Sequence, residues 1–216
     1  MEWLSYLIEL VLHLDRHLHE LVLHYGIWVY GILFLIIFTE TGLVVMPFLP
    51  GDSLLFAAGA VAATTGGLNP HLLVVLLIMA ALLGDTVNYW IGHYVGPRVF
   101  SQTQSRWLNP QHLQRTHHFY QKHGGKTIIL ARFLPIVRTF APFIAGVGAM
   151  GYLRFLMYSI IGAVVWVTSF VYLGFFFGNL PVVKANLGLF ILAIIVTSLL
   201  LPLIEFIKPR HSADNP

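Results

Sequence analysis

The chain has 216 residues, of which 57% are hydrophobic and 10% charged, with a mean hydropathy of +0.79; a soluble domain carries about a quarter charged residues, so an ordinary soluble globule is excluded. There is no cysteine, which removes disulfide frameworks, zinc knuckles and thiol chemistry. The net charge of +3 does not point to nucleic acid, because the basic residues gather in the segments that flank apolar runs, as membrane proteins place them.

Residues 1–25 lack the basic region, short apolar stretch and small-residue cleavage site of a signal peptide. Leu4, Leu7, Ile8, Val11, Leu18 and Val22 recur at helical spacing among Glu9, Asp15, Arg16 and Glu20, which predicts an amphipathic helix in the membrane interface. The next apolar region, 27–63, is interrupted by Glu40, Gly42, Pro47, Pro50, Gly51 and Asp52. Proline removes a backbone donor and the bilayer supplies no water to replace it, so this region is expected to be a broken helix, a re-entrant hairpin, beside protein or a wet cavity. Leu18 to Thr39 can alternatively be drawn as one complete span. Residues 70–96 read as a transmembrane helix that carries Asp85 and Asn88 one turn apart, placed either to line a cavity or to bond neighbouring helices.

From 97 to 126 the chain holds Arg98, Arg106, Arg115, Lys122 and Lys126 without an acid, a loop the positive-inside bias puts in the cytoplasm. Region 127–150 is interrupted in its turn, by Arg132, Pro135, Arg138, Pro142, Gly146 and Gly148, and reads as a second re-entrant hairpin that enters from the cytoplasmic side. Segments 152–178 and 187–207 complete about three full transmembrane helices, with Asn179 to Asn186 outside and the tail 208–216, bearing Lys208 and Arg210, in the cytoplasm. The fold class is therefore an all-α integral membrane domain. Gly146-Val-Gly-Ala-Met-Gly151 matches the dinucleotide fingerprint by letter, but it closes a membrane hairpin rather than joining a strand to a helix, and no nucleotide or other cofactor is expected. His13 and His17, and the group His117, His118 and His123, read as interfacial histidines, with no metal site.

A weak internal repeat underlies the two halves. Phe48-Leu49-Pro50 recurs as Phe133-Leu134-Pro135, Ala58-Gly59 as Ala145-Gly146, and the pair Gly92 and Gly96 as Gly174 and Gly178. Paired interrupted segments in two halves are the mark of a transporter with a site near the midplane, and an inverted repeat would bring the first hairpin in from outside.

Glu40, Asp52, Arg132 and Arg138 sit in the two broken regions, where a charged side chain costs at least about 2.5 kcal/mol and usually faces a cavity or a partner. One reading is structural: the acids and arginines form salt bridges that pin the hairpins together. The other assigns the arginines to an anionic headgroup, because a guanidinium is a fixed fork of donors that matches phosphate oxygens. Glu40 and Asp52 then carry protons, their protonation following site occupancy.

The stretches Glu40 to Asp52 and Ala131 to Gly146, with Gly84-Asp-Thr-Val-Asn-Tyr-Trp-Ile-Gly92 and His123-Gly-Gly-Lys126, resemble the hallmark segments of the DedA family of bacterial membrane proteins. That resemblance implies two re-entrant hairpins, an inner-membrane location, dependence on the proton-motive force, and translocation of undecaprenyl phosphate or phospholipid in support of envelope biogenesis. It also implies that Glu40 and Asp52 are the family's essential acids and Arg132 and Arg138 its essential arginines. The expected partners are a membrane lipid and protons; the sequence leaves open whether the protein acts as a homo-oligomer. The alternatives are a proton-coupled transporter of small ions or drugs, which an arginine pair argues against, and a membrane assembly factor without turnover. No enzyme is expected, since no serine lies in a nucleophile elbow and no histidine beside the arginines.

Overall fold

The computed structural model describes residues 22, 24–43, 51–101, 125–132, 134–178, 180, 181 and 183. Most of the amphipathic segment 1–25 and of the basic loop 97–126, the third full span 187–207, the tail 208–216, and Pro47 and Pro50 lie outside the described residues. Those residues form α1 (Trp28–Gly42), α2 (Gly51–Thr65), α3 (Pro70–Ser101), α4 (Pro135–Val147) and α5 (Tyr152–Phe177), with a helical stretch at 125–131 leading to α4. No strand occurs among them.

Length sorts these helices into two kinds. Two segments, Pro70–Gly96 of α3 with 27 residues and α5 with 26, are long and apolar enough to cross a membrane, reaching about 40 Å against a hydrocarbon core of about 30 Å. By contrast α1 and α2, at 15 residues each, and α4, at 13, reach only about 20 Å. The long helices turn apolar side chains outward. On α3, Leu72, Val75, Met79, Leu83, Val87 and Ile91 form an exposed stripe, while Leu73, Leu77, Ala80 and Ala81 are buried; a helix with no polar face belongs in lipid.

The start of α3 is set by Asn69, whose Oδ1 accepts from the amides of His71 and Leu72 at 2.9 and 3.2 Å, with Pro70 at the first helical position, where no amide is needed. The helix runs on to Ser101, five residues past the expected end at 96. Pro135 likewise opens α4, after Leu134 in extended conformation. Two expected breaks are corrected: Pro142 and Gly146 both lie inside the continuous helix α4. Pro142 has no amide to bond the carbonyl of Arg138, four residues back, and its ring crowds that carbonyl, yet the helix continues through it. The turn comes later, at Gly148 and Ala149, the latter at φ 50°.

Each short-helix pair returns to the end of the bundle from which it starts. Near the start of α1, Tyr30 accepts through its hydroxyl from the Asn69 amide at the head of α3 (2.7 Å), and at the end of α2 Ala60 meets Gly178 at the tail of α5. The other pair begins at Gly125 against Tyr158 and ends at Val147 against Gly96, at the opposite end. The repeat reappears as packing. A Cβ on Gly174 would strike the Phe56 carbonyl, and one on Gly92 the Phe143 carbonyl; Gly59 abuts the Val171 carbonyl, and Gly146 that of Tyr89. These contacts correspond one for one between the halves, so α2 packs on α5 as α4 packs on α3. Thus α2 and α4 each lie on the long helix of the other half, while α1 packs on α3 within its own.

Candidate functional site

The broken regions deliver charge to the middle of the bundle because a helix end has backbone groups to satisfy there. Glu40 stands in the last turn of α1, and its Oε1 accepts from the amide of Gly51 (3.3 Å), the first residue of α2. An acid at a helix N-terminus meets unpaired amides and the positive end of the helix dipole. Asp52 occupies the first turn of α2. From the other side come Arg132, just beyond the 125–131 stretch, and Arg138, in the first turns of α4.

Arg138 spreads its fork over both acids: Nη2 pairs with Glu40 Oε1 and Nη1 with Asp52 Oδ1 at 2.6 Å. Arg132 goes elsewhere, donating from Nη2 to Asp85 Oδ2 at 2.8 Å and from Nη1 to the Ser159 carbonyl at 3.1 Å. The Ser159 hydroxyl also donates to Asp85 Oδ2. Glu40, Asp85, Arg132 and Arg138 are all buried. Glu40, Asp52 and Asp85 are, moreover, the only acids of the sequence between residues 21 and 204, and each one pairs with an arginine here.

Asp85 therefore lines the cavity and also pairs, whereas Asn88 ties helices together, its Nδ2 donating to the carbonyls of Thr41 (3.1 Å) and Thr139 (2.7 Å). Asp85 and Asn88, half-way along α3, thus face both short-helix pairs at once. Trp166, buried at the middle of α5, was not singled out by the sequence reading. Its ring lies 4.8 Å from the Arg138 guanidinium carbon and 5.8 Å from that of Arg132, and its Nε1 donates to Asp52 Oδ1 at 2.8 Å. The available signal was its position, since tryptophan in a spanning helix normally sits at the membrane interface. Ser159 lies two turns before it on the same face.

Thr41, Asp85, Arg132, Arg138, Pro142 and Trp166 surround a cavity of about 10 Å³, at the threshold for a single water. Arg138 Nε and Glu40 Oε2 are buried without a hydrogen-bond partner among the described residues. In the fingerprint-like run, the amides of Gly148, Ala149 and Met150 are bonded to the carbonyls of Ile144, Gly146 and Ala145. None of the three is left to cradle a phosphate.

Residues 49–176 match the family model described as the VTT domain. The chain is 56% identical over 214 residues to protein DedA of Escherichia coli K12, covering 99% of this chain and 98% of that one. It is 44% identical over 169 residues (78% and 75%) to an uncharacterized membrane protein of Mycobacterium leprae. To the inner membrane protein YqjA of E. coli K12 it is 38% identical over 156 residues (71% and 69%). No solved structure matches it. Two membrane-length apolar helices, a buried set of acids and arginines, and these similarities together make the chain a membrane protein of the VTT-domain, or DedA, family.

Proposed function

We propose that this protein translocates a lipid phosphate across the bacterial inner membrane in a step coupled to protons, the two short-helix pairs acting as re-entrant hairpins from opposite faces. The observation that carries this reading is the meeting of two buried arginines, presented from one side, with acids presented partly from the other, half-way along two membrane-length helices. An arginine at that depth needs compensation, and each guanidinium keeps a planar fork suited to phosphate oxygens.

Charge arithmetic supports proton coupling. Glu40, Asp52 and Asp85 oppose Arg132 and Arg138, three possible negative charges against two positive. An uncompensated charge in a dry interior is expensive, so one proton neutralises the empty site. A phosphate that takes the arginines leaves the acids without their cations, and these then load further protons so that the complex can reorient without net charge. The cavity is far too small for a headgroup, which marks this arrangement as the closed, self-paired state; lipid enters only when the hairpins part. The unpartnered Arg138 Nε and Glu40 Oε2 favour this over a purely structural lock, since a lock would gain by satisfying both.

The test is movement of a labelled lipid phosphate in vesicles with and without an imposed pH gradient. Wild type is expected to respond to the gradient, and Glu40→Gln and Asp52→Asn to accumulate normally but lose that response. Full gradient-driven movement by both variants would leave the carboxyls as structural ion pairs and the protein as a passive scramblase.

A further inference from the structure

The two ion-pair centres share one neighbour, and it is aromatic. Trp166 has both guanidiniums within cation–π range of its ring, while its N–H is committed to Asp52. A desolvated indole face attracts a cation more strongly than any other neutral side chain. In the closed state Arg132 also holds Asp85, and Arg138 holds both Glu40 and Asp52. During transport those carboxylates are protonated and their attraction is lost, but the indole remains, since it neither titrates nor competes for the phosphate.

We infer that Trp166 is the positioning residue that couples the two arginines: its ring holds both Arg132 and Arg138 in one site, and its N–H keeps Asp52 within reach of Arg138. This rests on the lipid phosphate reading above. The ring and the N–H then do separable work. Trp166→Phe retains a face and loses the donor; Trp166→Leu loses both.

In vesicles, Trp166→Phe is expected to keep the half-saturating lipid phosphate concentration within about threefold of wild type while losing most of the acceleration by the gradient. Trp166→Leu is expected to raise that concentration about tenfold or more, at wild-type abundance. A Leu variant with wild-type half-saturation and gradient response overturns the proposal and leaves Trp166 as packing. A second measurement serves if Trp166→Leu does not accumulate, or if wild-type vesicles move no lipid phosphate and the transport reading itself falls. With Trp3, Trp28, Trp90 and Trp107 replaced by Phe, emission from Trp166 is recorded as dodecyl phosphate is added to the protein in nanodiscs. A shift that Arg132→Lys and Arg138→Lys each diminish supports the coupling; an emission indifferent to the probe overturns it.

Discussion

Arg138 and Arg132 differ in what they hold, and that difference sets distinct expectations for their variants. Arg138 bridges two carboxyls with two nitrogens, which a lysine ammonium cannot reproduce in the same geometry. Arg138→Lys is therefore expected to lower transport about tenfold or more at near-normal abundance, read in the same vesicle assay. Asp85 makes a different case, because removing it strands Arg132 beside Ser159. Asp85→Ala is expected to cost about 3 kcal/mol or more of stability, seen as reduced abundance and melting temperature. Replacing Arg132 by Met in the same chain is expected to restore abundance but not transport. Gly51 completes the residue scale: a Cβ there would collide with the Glu40 carboxylate. Gly51→Ala is expected to push Glu40 off Arg138, and its loss of gradient response should resemble that of Glu40→Gln.

At the scale of elements, the short helices are held by backbone contact rather than by side-chain bulk. Gly59 faces the Val171 carbonyl on α5, and Gly146 faces the Tyr89 carbonyl on α3. In lipid there is no hydrophobic drive to bring helices together, so close approach over small residues supplies the dispersion that holds them. A flexible neighbour can yield to a new methyl group, whereas a helical carbonyl cannot. Gly59→Val and Gly146→Val are each expected to cost about 1–3 kcal/mol, measured as lower thermal stability in detergent, and the correspondence between the halves predicts losses of similar size. Substitution at Gly31, whose added Cβ would meet nothing within 4 Å, is expected to be silent and serves as the control.

For the molecule as a whole, the packing divides the helices into two groups, α2 on α5, and α1 and α4 on α3. The Arg138 to Asp52 pair joins the two groups, whereas the Arg138 to Glu40 pair lies within the second. The orientation is testable because the background has no cysteine. An impermeant maleimide applied to intact cells is expected to label Asn186→Cys and to spare Gln104→Cys. The opposite pattern would reverse the orientation, and with it the side proposed for each short-helix pair.

Much of this was decided by the sequence alone, for a physical reason: the bilayer penalises charge and broken backbone so heavily that each exception stands out in a string of letters. The membrane class, the two interrupted regions, and Glu40, Asp52, Arg132 and Arg138 as the charged set all follow from that penalty. The repeat was legible too, in the shared order of Phe-Leu-Pro, Ala-Gly and a glycine pair. What tertiary structure decided is who meets whom. The Arg138 to Glu40 pair spans 98 residues and the Trp166 to Asp52 bond 114, and local patterns of turn and period carry no information across such distances. Asp85 became the partner of Arg132, while Glu40 and Asp52 shared Arg138, because the helical phase of α3 presents Asp85 to the second hairpin and the α1–α2 break presents its two acids together. Pro142 lies inside a continuous helix rather than breaking one, which the letter P does not disclose. Trp166 was hidden for the same reason that makes it informative: in an apolar segment it reads as one more hydrophobic residue until the two arginines are seen on its ring.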